Sequence, residues 1–375
     1  MYVQEVKLDE YKRSYILLDD NGMPVLSAVK YIKYLDNTGK SFNTIRAYCY
    51  ALKLYHCFLE EKNLDLYKIT ISNLEDYVGW LKNPFGTDKV ASIVPLEASR
   101  TAKTINNNIT IVLGYYDYLY RIGMMDKNIK DKTTKYISGV RPNYKGFLYH
   151  ITKGSPEARN ILKVKEPKMR IKVLTKEQVE LICNETTNIR DKFLIRLLFE
   201  TGIRIGEALS LYIEDMKFDH NNGHKFTLKY RKDLANGARL KTGERDIFIS
   251  QELMDLFDDY EYKILDELEI DTNFVFVKLK GENKGQPMEY KDVAALFNTL
   301  KMRTGIDIHA HLLRHTHATI FFQETKDIKG VQERLGHKQI QTTMNMYIHL
   351  SDEELRMKWE AAQHRFTIKK EREDN

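Results

Sequence analysis

Apolar positions in the first 123 residues recur every three to four residues, the spacing of helices that each bury one face. Leu26, Val29, Ile32 and Leu35 mark one helix between Pro24 and Leu35. Ile45, Tyr48, Leu52, Tyr55 and Leu59 mark a second, with Asn43 placed to cap it. Ser72 and Glu75 have the spacing of a capping box ahead of Leu74, Tyr77, Val78 and Leu81. Asn83-Pro84 ends that helix, because a residue before proline is pushed out of the helical region. After a loop with Gly86 and Pro95, the stretch from Thr101 to Ile122 carries Ile105, Ile109, Val112, Leu113, Tyr116 and Leu119, and Gly123 closes it. These helices predict a small bundle.

The pattern changes after residue 172. Thr175 and Gln178 form a second capping box, and a helix from Arg190 to Glu200 stops at Gly202. Short β-type runs follow at Tyr212 to Phe218, Lys225 to Arg231 and Arg239 to Ile249, with Asn221-Asn222-Gly223 as a turn between the first two. Phe274 to Val277 is a further β-like run. Helices are expected over Gln251–Leu268, Tyr290–Arg303, Leu312–Gln323, Lys329–Leu335 and Asp352–Gln363. No internal repeat or low-complexity run interrupts this order. The pattern predicts a mainly α fold with a small antiparallel β-sheet, an α+β chain. Its expected divisions are an N-terminal extension over 1–22, a helical domain over 23–123, a basic linker over 124–172, a second domain over 173–366 and a tail over 367–375.

Composition narrows the function classes. The chain has 375 residues, 42% apolar and 30% charged, which suits an ordinary globular protein of two or three domains. No run approaches the roughly 18 apolar residues of a membrane span, so a membrane partner is not expected. The start lacks a basic segment followed by an apolar one, so no secretory signal is expected. Cys49, Cys57 and Cys183 lack disulfide or zinc spacing, which fits a reducing, cytoplasmic setting. The net charge of +6 is a faint pointer to a polyanion until it is resolved by position. Residues 1–100 balance 13 basic against 13 acidic residues, whereas residues 121–172 hold 14 basic and 4 acidic, and residues 252–292 hold 5 and 12. The basic stretch includes Lys130, Lys135, Arg141, Lys145, Arg170 and Lys172. It suits either a solvated linker or a strap along a phosphate backbone.

The polar residues of the second domain carry candidate chemistry. Arg204 follows the helix-ending Gly202, with Glu207 at helical spacing to orient it, although a surface ion pair would look the same. Lys241, in Lys-Thr-Gly, begins a β-type run, where a lysine can reach a groove or merely guard a sheet edge. Residues 309–317 hold four histidines. His311 and His315 sit four apart as metal ligands can, but the glutamate of His-Glu-x-x-His is missing and an arginine lies between them. The alternative is a helix start that presents His311, suited to proton transfer, and Arg314, suited to bidentate phosphate binding. Leu335-Gly336-His337 follows, and Tyr347 lies among Met344, Met346, Ile348 and Leu350, where an amphipathic core tyrosine would also fit.

Together, Gly-Ile-Arg-Ile-Gly-Glu, Lys-Thr-Gly, His-Leu-Leu-Arg-His-Thr-His-Ala-Thr, Leu-Gly-His and Thr-Thr-Met-Asn-Met-Tyr resemble, in order, the signature of the tyrosine recombinase (phage integrase) family. The likeness spans roughly residues 170–365, and the N-terminal half is more loosely similar to that family's SAM-like core-binding domain. The stretch from Leu35 to Ser41 looks most like integrases and transposases of bacterial mobile elements. The resemblance implies a site-specific DNA recombinase that cleaves and rejoins DNA through a 3′-phosphotyrosine, with no metal, ATP or other cofactor. It implies that Tyr347 is the nucleophile. Arg204 and Arg314 would offset charge on the phosphorane. His311 would help take the tyrosine proton, Lys241 would protonate the 5′-oxygen, and His337 would bond the phosphate or tyrosine. Glu207 would support Arg204 and His311 from behind.

Two features depart from the family pattern. His337 to Tyr347 is one residue longer than in many members, and the hairpin lysine varies in position, so that Lys232 is the alternative to Lys241. Tyr347 is preferred over Tyr290 because Thr342-Thr343 precedes it. The resemblance also gives the basic linker a role on double-stranded DNA, at attachment or transposon-end sites. By the same analogy the protein would assemble as a dimer per site and a tetramer on two sites, with a directionality factor or partner recombinase as an open addition, and would join the bacterial nucleoid when bound. Asp352 to Phe366, with Leu355, Trp359, Ala362 and Phe366 at helical spacing, is the candidate for docking on a neighbouring protomer. A resolvase or relaxing enzyme with the same residues, and a DNA-binding protein without catalysis, are the competing readings.

Overall fold

Tyr2–Lys7 (β1) and Arg13–Leu18 (β2) pair antiparallel, with Tyr2 opposite Leu18 and Lys7 opposite Arg13. The structure is a computed structural model that describes residues 1–7, 13–83, 100–137, 157–167, 172–232, 234–265, 272–336 and 360. It divides into two units, Met1–Met169 and Arg170–Asn375. The stretch expected to precede the bundle therefore belongs to it, because Tyr15 and Leu17 of β2 are buried in the core of the first unit.

That core is closed by α1 (Leu26–Asn37), α2 (Phe42–Glu61), α3 (Ile71–Lys82) and α4 (Ala102–Arg121). The apolar stripes named above face inward, including Ile45, Leu52, Tyr55 and Leu59 of α2 and Ile105, Ile109, Val112, Tyr116 and Leu119 of α4. Two helix starts differ from expectation. Ser41, not Asn43, caps α2, with its hydroxyl accepting from Thr44 N–H at 3.3 Å. Thr70 and Asn73, not Ser72 and Glu75, form the capping box of α3. In both cases the capping residue has extended backbone and sits just outside the helix, while the expected one lies within the first turn. A short helix α5 (Ile129–Thr133) leads into the antiparallel pair β3 (Thr134–Ile137) and β4 (Glu157–Asn160).

The second unit begins with α6 (Lys176–Asn184), capped by the expected Thr175–Gln178 box. Helix α7 (Ile189–Thr201) is central: Phe193, Leu194, Ile195, Leu197 and Leu198 are all buried, as a helix packed on several sides requires. After the one-turn α8 (Ile205–Ala208) come β5 (Met216–Lys217), β6 (Lys225–Leu228) and β7 (Arg245–Phe248), an antiparallel sheet in chain order.

The strands are shorter than their β-type runs. Beyond β6, Lys229 and Arg231 turn onto the buried Asp215, at 3.0 and 2.8 Å. The run from Phe274 to Val277 makes only isolated bridges, Tyr212 to Phe274 and Val277 to Pro287. Helix α9 (Gln251–Tyr260) gives way to a π turn at Glu261–Leu265. Helices α10 (Tyr290–Thr304), α11 (Ala310–Thr325) and α12 (Ile328–Leu335) complete the described residues, among which no helix is long and apolar enough to cross a membrane.

Candidate active site

Gly202 ends α7 with a φ of +64°, and a Cβ there would lie 2.5 Å from His317 Cδ2, so both backbone and space call for glycine. The reversal delivers Arg204 to the start of α8. Its backbone N–H donates to Glu207 Oε2 at 3.0 Å, and its Nη1 donates to Oε1 at 3.3 Å.

Glu207 is fully buried. It also accepts from Thr242 Oγ1 at 2.7 Å and from Arg245 Nη2 at 3.0 Å. Burial alone would raise its pKa. The Arg245 charge, together with the bonds from Arg204, Arg245 and Thr242, outweighs burial and holds the carboxyl below its ordinary range.

Arg314, on α11, is also buried, with 2% exposure. It donates to Gly202 O at 2.6 Å and to Leu335 O at 2.8 Å. Arg204 Nη1 reaches the same Leu335 carbonyl at 3.2 Å. Two guanidinium groups from distant parts of the chain thus converge on the last residue of α12. Gly336 then turns the chain with a φ of +63°, and a Cβ there would meet Thr242 Oγ1 at 2.8 Å and Arg245 Nη1 at 3.0 Å. The backbone leading to His337 therefore passes directly over the Thr242–Arg245 pair.

The four histidines of residues 309–317 have separate tasks. His309 caps α11, with Nδ1 accepting from Leu312 N–H at 3.1 Å. His311 is exposed in the first turn, its ring centroid 4.2 Å from that of His315. Burial, then the nearby His311 and Arg314, lower the pKa of His315 to about 4. His317 Nδ1 donates to Phe199 O at 3.0 Å and its Nε2 accepts from Arg334 Nε at 3.1 Å, a pattern that requires neutral imidazole. Burial and the Arg334 charge lower its pKa to about 3. Among the described residues no group of three or more His, Cys, Asp or Glu side chains is placed to hold a metal ion.

Lys241 is exposed just ahead of β7, and Lys232 is exposed beyond β6. The hydroxyl of Tyr290 fills the space that a Cβ at Gly206 would need. His337, Tyr347 and the Asp352–Phe366 segment apart from Glu360 lie outside the described residues, as do Arg141, Lys145 and Arg170. In the first unit, Lys130 Nζ lies 3.7 Å from Asp117 Oδ2, and Lys135 is opposite Arg159 in the β3–β4 register. Lys172, in the second unit, is exposed. Sequence reasoning missed Thr242 and Arg245. Their signal was in plain sight, because both belong to Lys-Thr-Gly-Glu-Arg, but their shared partner Glu207 lies 35 and 38 positions earlier in the chain.

Residues 172–354 match the model of the phage integrase family, and residues 28–123 match the phage integrase N-terminal SAM-like domain. Transposase A from transposon Tn554 of Staphylococcus aureus is 40% identical over 359 residues, spanning 95% of this chain and 96% of the relative. Tyrosine recombinase XerA of Pyrococcus horikoshii is 32% identical over 200 residues, 53% of this chain and 64% of its own. In fold the chain is similar to the Tn1549 transposon integrase solved with a circular intermediate DNA, with a TM-score of 0.61 and 17% identity over 89% of this chain and 99% of that one. It is also similar to the XerH site-specific recombinase bound to a palindromic difH substrate, with a TM-score of 0.59 and 20% identity over 91% of this chain and 84% of that one. The chain belongs to the phage integrase family of tyrosine recombinases.

Proposed function

We propose that the chain is the site-specific DNA recombinase of a mobile element, an integrase or transposase that cleaves and rejoins DNA through a 3′-phosphotyrosine intermediate. The observation that carries this reading is the convergence of Arg204 and Arg314 on Leu335 O, two residues before His337, in a chain similar along its length to a transposase. A carbonyl held by two guanidinium groups marks where acceptor oxygens are favoured. Arg204 keeps 29% of its side chain exposed, which leaves donors for a phosphate oxygen.

In this reading Tyr347 attacks the scissile phosphorus and the bond to the 5′-oxygen breaks. Arg204 and Arg314 offset the charge of the phosphorane, the largest kind of catalytic contribution in such sites. A phenol near pKa 10 is a poor nucleophile at neutral pH, so His311 helps to take its proton. Lys241, with Lys232 as the alternative, gives a proton to the leaving oxygen, and His337 bonds the phosphate or the tyrosine. Glu207 fixes Arg204. The phosphotyrosyl ester keeps the energy of the broken phosphodiester, so rejoining requires neither ATP nor metal.

The DNA partner is a pair of attachment or transposon-end sites, bound as a dimer per site and a tetramer on two. Lys130, Lys135, Arg141, Lys145, Arg170 and Lys172 follow the phosphate backbone. The charge of residues 121–172, 14 basic against 4 acidic, supports this, because neutralising phosphates releases counterions. The test is Tyr347→Phe on a nicked suicide duplex. Retained binding with loss of the covalent adduct is expected, and a persisting adduct would remove Tyr347 from its role.

A further inference from the structure

Arg245 joins three parts of the second unit that the proposed reaction needs in register. Its guanidinium donates to Glu207 Oε2 at 3.0 Å, to Thr242 Oγ1 at 2.8 Å and to Gly243 O at 3.4 Å, while Nε donates to Arg334 O at 3.1 Å. One planar fork therefore spans the turn that bears Lys241, the carboxylate that holds Arg204, and the end of α12 that leads to His337. The side chain is 14% exposed, so its bonds to Glu207, Thr242 and Arg334 O are partly screened from water and hold the turn. Thr242, the neighbour of Lys241, is held twice, by Arg245 and by Glu207. Lys241 itself is exposed and extends from this anchored turn.

We infer that Arg245 is a positioning residue for the proton donor: through Thr242 it fixes the Lys241 turn so that the ammonium group meets the leaving 5′-oxygen as the phosphorus–oxygen bond breaks. This rests on the proposed role of Lys241. In the step concerned, the tyrosine oxygen bonds to phosphorus, the 5′-oxygen departs with the bonding pair, and Lys241 gives that oxygen a proton and becomes a neutral amine. An alkoxide departs poorly without that proton, whereas a thiolate departs readily without it. Sulfur at the 5′ bridging position therefore separates faulty proton donation from every other defect.

The experiment uses the full-length chain and a nicked duplex that the unaltered chain cleaves, made with either oxygen or sulfur at the 5′ bridge. Arg245→Gln should slow adduct formation about 100-fold on the oxygen duplex, the order expected when a reacting group is misplaced by about an ångström. On the sulfur duplex it should come within about 10-fold of the unaltered chain. Thr242→Val removes both bonds of the Thr242 hydroxyl but leaves the Arg245–Glu207 pair and the bond to Gly243 O, so it should show the same rescue and guards against misfolding of the arginine variant. Arg245→Lys keeps the charge without the fork and should fall between. Lys241→Ala is the reference. If it is rescued by sulfur while Arg245→Gln and Thr242→Val are equally slow on both duplexes, Arg245 does not act through the donor. If Lys241→Ala is not rescued, Lys241 is not the acid, and the inference fails together with that assignment.

Discussion

Glu207→Gln changes one oxygen to an amide without altering volume, at a buried site where Arg204 N–H, Arg204 Nη1, Thr242 Oγ1 and Arg245 all donate to the carboxylate. The glutamine keeps one acceptor and turns a new donor toward groups that are donors themselves. Two arginines, 29% and 14% exposed, then lose their fully buried counter-charge. Breaking a buried ion pair from one side costs about 3–5 kcal/mol, and the retained acceptor favours the lower end. For a unit of this size, about 3 kcal/mol corresponds to a fall of roughly 6–12 °C in melting temperature. Calorimetry of the full-length chain reads this directly.

The pH dependence supplies the sign. The folded carboxyl titrates below its ordinary value, because Arg245 and its bonded neighbours outweigh burial. Its stabilisation is therefore complete above the unfolded pKa of about 4.3 and is lost as pH falls through the folded value. The gap between the unaltered chain and Glu207→Gln should be full at neutral pH and should narrow below about pH 4. A melting shift under about 2 °C at neutral pH, where about 6–12 °C is expected, would refute the view that this carboxylate organises the site.

Three further outcomes follow from the same geometry. Arg314→Lys cannot span Gly202 O and Leu335 O with one fork, so adduct formation on a suicide duplex should fall by about 100-fold or more, the scale of losing one preorganised charge-stabilising donor. His317 is held neutral by burial and Arg334, with its pKa near 3, so it adds stability above about pH 6.5 that is lost on acidification towards the folded value; His317→Gln should flatten the loss of stability between neutral and acid pH, as followed by melting temperature. Reversing the charge of Lys135 and Arg159 together should weaken DNA binding across unrelated sequences and flatten its salt dependence in a binding titration, and an unchanged slope would return the linker to a solvated spacer.

Local rules read the helices well where one face alone decides. The stripe of α4 was legible from Ile105 to Leu119 because period and burial agree there. Caps were less legible: Ser41 and Asn43, or Thr70 and Ser72, can all accept the capping bond, and only the backbone conformation separates the residue outside the helix from the one inside it. Strand β6 is shorter than its run for a tertiary reason, since Lys229 and Arg231 beyond it pair with Asp215. At the site, Arg204, Glu207 and Arg314 could be named from motifs because each stands in a distinctive local run. Arg245 could not, because its importance lies in bonds to Glu207 and Arg334 O, groups that neighbour it only in the folded chain.

In the proposed reaction Tyr347 becomes covalently joined to the 3′ end of cleaved DNA. Trapping the full-length chain on a nicked duplex, digesting both components and locating the nucleotide-bearing peptide by mass spectrometry tests this without assuming any other residue's role. A single 3′-phosphoryl nucleotide is expected on the peptide that contains Tyr347. A nucleotide on Tyr290 or any other residue, or a linkage to the 5′ end, would contradict it.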